Sequence, residues 1–278
     1  MGNHLLMCLF YGLVAGFSEA TPVSASAHRM LFPMILDFNS TRPLLQFFVH
    51  GGALGAVLLL YWQRISHIRR EMRLMTLPPS RRKRPPDTAA VMDGRLTGMA
   101  LIPSLIGAGL YAFGAGYGMG LLGLGLWLIL GASATYVTEY APGGDRQNAA
   151  MSRLDGLLLG ACALFGAIPG LSRVGLMLSL GRLRRCDRQY LLDMVMLMTV
   201  PYLAAMMGLD LVGLVLSGFA GLSLKFLLGC LLAGVAAFGG TMGGIFMMRF
   251  LAVKTGFASF AFYGWGLGLF SLILYLMV

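Results

Sequence analysis

The chain has 278 residues, of which 58% are hydrophobic and 12% charged. A soluble domain carries about 25% charged residues. This composition, with a mean hydropathy of +0.78, therefore excludes a soluble globular domain and predicts an all-α polytopic membrane protein. The formal net charge of +10 is gathered into a few connectors, which argues for membrane-side loops and against nucleic acid as a partner.

In chain order, residues 4–36 come first, as two apolar arms around the polar island Ser18–His28. The arm Leu5–Phe17 is shorter than the roughly 20 residues that cross a bilayer, so a re-entrant helical hairpin is predicted. Broken backbone at that depth must be buried in protein or face a wet cavity. Ala25-Ser26-Ala27 resembles a leader cleavage site, but no Lys or Arg precedes Arg29, so cleavage is not expected. Full spans are predicted at 44–62, 96–115 and 118–138. The connector 63–95 between the first two carries Arg64, Arg69, Arg70, Arg73, Arg81, Arg82, Lys83, Arg84 and Arg95. Its proline pairs, Pro78-Pro79 and Pro85-Pro86, predict an extended linker rather than a domain.

A second interrupted segment, 154–181, surrounds the island Ile168–Gly175 and is predicted as another re-entrant hairpin. Spans at 191–213, 224–248 and 257–277 follow. With this count, loops 63–95 and 182–188, Arg249 and Lys254 all fall on the cytoplasmic side, and the C-terminus falls outside. A single crossing by 154–181 would put Arg182, Arg184, Arg185 and Arg188 outside, against the charge rule. Hairpin plus three spans over 1–138 is thus followed by hairpin plus three spans over 154–278, within one integral membrane domain. Three spans between the hairpins make this an inverted-topology repeat, whose sites lie at the repeat interface near the midplane.

The two islands carry the chemistry. Glu19 is an intramembrane carboxylate, costly unless it has a function. His28, with Ser18, Ser24 and Ser26 nearby, can move a proton or attack phosphorus, and a carboxylate can orient it. Pro169-Gly170-Leu171-Ser172-Arg173 reads as a backbone nest at a helix start, where free N–H groups attract anions. Arg173 adds a bidentate phosphate contact. Glu19, His28 and Arg173 are therefore expected to line one cavity for a phosphorylated lipid. Ser24, Ser26, Gly170, Ser172 and Arg173 are expected to hold phosphate. Gly116, Gly118, Gly120, Gly123 and Gly125, and the run 239–244, read as helix packing, since they lack a P-loop's Lys-Ser/Thr. Asp210 and Lys225 read as interfacial charges. The Met-rich stretch 194–207 and the scattered Cys8, Cys162, Cys186 and Cys230 read as packing residues.

At these islands the chain resembles the undecaprenyl-diphosphate phosphatase family of the bacitracin-resistance type. That family's first motif is a glutamate, three residues, a second glutamate, then Leu-Pro-Val-Ser-Ser-Thr-Gly-His. Here Glu19, Pro22, Val23, Ser24 and His28 match it, Ser26 stands at the threonine, and Ala15 and Ala25 replace the first glutamate and the second serine. The second motif, Pro-Gly-x-Ser-Arg-Ser, is matched at Pro169, Gly170, Ser172 and Arg173, with Val174 in place of the last serine. The likeness extends to Asp93–Thr97, Thr199-Val200-Pro201, Gly208-Leu209-Asp210 and 254–264.

The resemblance implies a multi-pass enzyme of the bacterial inner membrane that hydrolyses undecaprenyl diphosphate to undecaprenyl phosphate and inorganic phosphate. It implies a divalent cation, Mg or Ca, with Glu19 as the candidate ligand. It also implies a polyprenyl diphosphate as lipid partner, and a homodimer is a further expectation. A non-hydrolytic polyprenyl-phosphate carrier of the same fold is the competing expectation, because inverted repeats with broken hairpins also suit alternating access.

Overall fold

A computed structural model describes residues 2–36, 38–112, 120–147, 150–218 and 222–277, and within these every regular element is helical. The helices are α1 (Gly2–Ala20), α2 (Ala25–Leu36), α3 (Pro43–Thr76), α4 (Thr88–Ala112) and α5 (Gly120–Glu139). They continue with α6 (Arg153–Phe165), α7 (Arg173–Leu183), α8 (Arg188–Leu216), α9 (Leu224–Lys254) and α10 (Ser259–Met277). Six of them, α3, α4, α5, α8, α9 and α10, are long and apolar enough to cross a membrane. The protein is a multi-span membrane protein. The short helices pair as α1 with α2 and α6 with α7.

Helix starts follow the local sequence. Ser152 and Asp155 form a reciprocal capping box on α6, Ser172 caps α7, Asp187 caps α8 and Ser223 caps α9. Each oxygen satisfies a backbone donor that a first helical turn leaves without a partner. Pro103 and Pro201 sit inside α4 and α8. Membrane helices tolerate such breaks because neighbours satisfy the freed backbone groups.

Small residues set the closest helix contacts. A Cβ added at Gly12 or Gly16 of α1 would run into the backbone of Ala233 or Ala237 on α9. The same relation joins Gly160 of α6 to Ala100 of α4. Without a hydrophobic drive between helices in lipid, such backbone-to-backbone packing supplies the association energy. Beyond these two pairs, α3 lies against α8 and α9, α4 against α8, and α5 against α10 and α7. Met194, Met196 and Met198 are fully buried in the central cluster, and all four cysteines are free and buried. Gly125 packs against Leu272 and Gly268 of α10. Gly116 and Gly118, and the ends of the spans expected at 96–115 and 118–138, lie outside the described residues.

The connector 63–95 differs from its predicted extended form. Helix α3 runs on to Thr76, and α4 already begins at Thr88, which places Asp93–Thr97 inside a helix. The prolines confine the break to 77–87, and the chain folds back on α3. Arg84 clamps the fully buried Glu71 at 2.9 and 2.5 Å, and the Asp87 N–H donates to it at 2.9 Å. This end of the bundle is knit by ions: Arg64 pairs with Asp93 at 2.8 Å and Asp193 at 2.5 Å, while Arg249 approaches Asp193 at 3.7 Å. Glu139 pairs with Arg188, and Asp155 with Arg184 at 2.6 Å. Arg64, Arg84, Arg184, Arg188 and Arg249 are therefore anchored in the protein by buried or half-buried carboxylates.

Candidate functional site

The second island forms the tip between α6 and α7. Gly166 closes α6 by donating to Cys162 O at 3.1 Å. Gly170 has φ +97, and a Cβ there would lie 2.7 Å from Leu124 O and 2.9 Å from Trp127 Cβ. Only glycine fits this backbone, and it seats the tip on α5. Ser172 then accepts the Gly175 N–H at 3.1 Å, starting α7 with Arg173 as its first residue. The Arg173 guanidinium donates to Thr199 Oγ1 at 2.8 Å, approaches Glu19 Oε2 at 3.4 Å, and lies 4.3 Å from the centre of the Tyr202 ring. Thr199 is held in turn by its bond to Val195 O at 2.7 Å.

The first island is a tighter turn between longer arms. Glu19 ends α1, and the chain reverses through 21–24. Ser24 takes φ +55, an uncommon conformation for a residue with a side chain. Its hydroxyl accepts the Ala27 N–H at 3.3 Å, sits 3.1 Å from Ser26 Oγ, and donates to Leu171 O at 3.4 Å. That last bond ties one hairpin tip to the other.

Where the tips meet is a buried polar pocket walled by Ser18, Glu19, Ser26, Arg29, Ser172 and Arg173, with Ala25, Tyr111 and Tyr202 around them. Glu19, Ser26, Ser172 and Arg173 thus come together from two distant islands. Gly170 and Ser24 act one step back: the first packs on α5 and the second pins the turn, instead of facing the cavity. His28 differs from the expected arrangement. Its Nδ1 lies 2.9 Å from Ser24 O and 3.2 Å from Ser18 Oγ, and its Nε2 lies 2.5 Å from Tyr263 OH. A carbonyl only accepts, so Nδ1 carries the proton and Nε2 accepts from the tyrosine in the neutral ring. Glu19 does not orient it. The His28 ring stacks on Tyr263 and borders a separate apolar groove of ≈ 490 Å³ between α1, α9 and α10. Ser18 borders both spaces.

Residues not assigned from the sequence complete the site. Arg29 lines the pocket from α2, its Nη2 4.0 Å from Glu19 Oε1. Its signal was the one used for Arg173, a charge inside an apolar arm. Asp210 is not an interfacial charge: it turns inward on α8 and meets Nδ1 of the fully buried His50 at 2.5 Å. Ala15 lies in an apolar cluster with Tyr11 and Phe32, whereas Ala25 faces the pocket.

Chemically, this is an anion site. Two guanidinium groups, hydroxyls and the start of α7 favour negative charge, and one carboxylate is available as a base. The expected divalent cation finds a poor donor set. Both oxygens of Glu19 face guanidinium groups, and no group of three or more His, Cys, Asp or Glu able to hold a metal occurs among the described residues.

Known proteins are similar to this chain in sequence over most of its length. The chain is 23% identical to an undecaprenyl-diphosphatase of Halothermothrix orenii, over 96% of each chain. It is 26% identical to one of Neisseria meningitidis, over 98% of this chain and 96% of the other. It is 28% identical to one of Maricaulis maris, over 98% and 99%. The profile described as bacitracin resistance protein BacA covers residues 8–270. With both polar islands and the spans between them inside that match, the chain belongs to the BacA bacitracin resistance family.

Proposed function

We propose that the chain hydrolyses undecaprenyl diphosphate to undecaprenyl phosphate and inorganic phosphate, recycling the carrier lipid for cell-wall synthesis. The observation that carries this reading is the buried Glu19–Arg173 pair where the two hairpin tips meet, beside an apolar groove that suits a polyprenyl tail. Arg173, Ser172, Ser26 and the first N–H groups of α7 hold the terminal phosphoryl group and stabilise charge on it. Glu19 takes a proton from a water whose oxygen bonds to the terminal phosphorus, the bridging P–O bond breaks, the lipid monophosphate leaves with that bond's electrons, and the transferred phosphoryl group departs as inorganic phosphate. His28 exchanges a proton at Nε2 through Tyr263 at the mouth of the groove. The membership of the family, whose relatives carry the undecaprenyl-diphosphatase name, supports the same reaction.

The arrangement of helices also supports the inverted repeat. Exchanging α1–α5 for α6–α10 turns the α1–α9 contact into α6–α4 and the α3–α9 contact into α8–α4, while α3–α8 and α5–α10 map onto themselves. We read loops 63–95 and 182–188 as cytoplasmic and the C-terminus as outside, in the bacterial inner membrane. A cysteine at Arg82 should resist labelling from outside, and external labelling there would reverse the orientation.

The reaction is tested by phosphate release from undecaprenyl diphosphate in detergent. Release by the wild type, lost in Arg173→Ala, is the expected result. Tight lipid binding with no release would replace the hydrolase with a carrier.

A further inference from the structure

The pocket holds a second guanidinium, and its support is as elaborate as that of the first. Arg29 enters from α2, opposite Arg173 on α7. Its Nη2 donates to Nε2 of His50 at 2.9 Å, and Nδ1 of His50 faces Asp210 Oδ2 at 2.5 Å. A guanidinium has donors only, so Nε2 must accept and the ring proton sits on Nδ1. His50 is therefore neutral, its tautomer fixed by Asp210. Residues on α3 and α8 thus position an arginine on α2. The two cations are also framed alike: Arg29 lies 4.8 Å from the centre of the Tyr111 ring and Arg173 lies 4.3 Å from that of Tyr202.

Glu19 lies between them, with Oε1 4.0 Å from Arg29 and Oε2 3.4 Å from Arg173. Charge-assisted pairs close to about 2.7–2.9 Å, so this carboxylate is a loose counter-ion to both. Two guanidinium groups and one carboxylate line the pocket itself, while the second carboxylate, Asp210, stands behind Arg29 beyond His50. A single phosphoryl group needs one such fork, whereas a diphosphate presents two adjacent anionic groups.

We propose that Arg29 is a second phosphate-binding residue, and that Arg29 and Arg173 clamp the two phosphoryl groups of a diphosphate without a divalent cation. Glu19 is the resting counter-ion that the incoming anion displaces, which frees its carboxylate as a base beside the phosphoryl group. The clamp takes its substrate class from the hydrolase reading, but its own test is binding.

The experiment is titration calorimetry of the detergent-solubilised full chain with methylenediphosphonate and, separately, inorganic phosphate, in EDTA. Wild type is expected to bind the diphosphonate. Arg29→Met should weaken that binding roughly tenfold or more, and should change phosphate binding less than about threefold. Arg29→Lys keeps the charge without the planar fork and should fall between the two. His50→Gln keeps Arg29 but loses its positioning, and should weaken diphosphonate more than phosphate. If Arg29→Met fails to elute as a monodisperse protein, Arg29→Lys and His50→Gln carry the test. Diphosphonate binding that requires added Mg or Ca overturns the clamp, as does equal affinity in wild type and all folded variants. Phosphate release from undecaprenyl diphosphate is read on the same samples: its absence removes the hydrolase reading, while the expected binding pattern still supports the clamp.

Discussion

The two hairpins solve one problem, a cation at the meeting point of two broken helices, by different means. In the second hairpin a single short motif builds the turn and the helix start, and Thr199 and Tyr202 of α8 hold the cation. Gly170 fits the backbone, Ser172 starts the helix, and Arg173 is its first residue. In the first hairpin the turn is held by Ser24 at φ +55, and the cation, Arg29, is aimed by His50 and Asp210 from two other helices. The second hairpin takes its turn from local sequence and its cation's support from one other helix, whereas the first draws its cation's aim from two. The turn at Gly170 is legible in its own sequence, whereas the aim of Arg29 depends on helices far from it in the chain.

The largest effects should separate the two cations. Arg173→Ala removes a fork held by Thr199 and leaves Glu19 with one distant partner. Breaking a buried pair costs about 3–5 kcal/mol, so diphosphonate affinity and phosphate release should fall by about a hundredfold or more. Inorganic phosphate binding should fall with them, unlike in Arg29→Met. Equal loss of phosphate binding in both variants would show the cations to be equivalent. Glu19→Gln should act in the opposite direction on binding. Without the counter-ion to displace, diphosphonate should bind more tightly, while release is lost with the base. Weaker binding in Glu19→Gln would mean that the carboxylate holds the arginines in place and is not displaced.

The backbone of the two turns offers a comparison in stability. Gly170→Ala forces a Cβ to 2.7 Å from Leu124 O at φ +97. Left-handed strain and overpacking together should cost about 2–4 kcal/mol, read as a lower melting temperature in detergent. Unchanged melting would mean that the tip can lift off α5, and that the second hairpin is no more rigid than the first.

The spans, the hairpin positions and the pairing of the islands were legible because charge and length in lipid are unforgiving: Glu19 and Arg173 had to find each other or water. The connector departs from the extended form its prolines predict because Glu71, a buried carboxylate, draws Arg84 and Asp87 back onto α3. Proximity in sequence pairs His28 with Glu19, but Glu19 lies in the last turn of α1 and His28 in α2, where its ring turns to Tyr263. Arg29 and Asp210 escaped because their partner His50 lies on a third helix, within a stretch that reads as an ordinary span. Periodicity places a residue on a helix face, and it carries no information about which face of another helix it meets.

The smallest expected effect is also the one that best separates structure from chemistry in the first hairpin. Ser24 was assigned to phosphate, yet its hydroxyl caps α2, touches Ser26 and reaches Leu171 O. Ser24→Gly relieves the left-handed backbone of a side chain, worth roughly 1–2 kcal/mol. Glycine as an N-cap gives up only a few tenths of a kcal/mol relative to serine, and its extra unfolded-state freedom costs about 0.5–1 kcal/mol. These terms nearly cancel, so the melting temperature should move little. Ser24→Ala keeps the strain and loses the cap, and should cost about 1 kcal/mol. If Ser24 only shapes the turn, Ser24→Gly should bind diphosphonate as wild type does and release phosphate at a similar rate. If the hydroxyl turns to the substrate, Ser24→Gly should melt normally yet lose release by about tenfold. That outcome would return Ser24 to the phosphate-binding set and make the first turn a mobile part of the site, in contrast to the fixed tip built around Gly170.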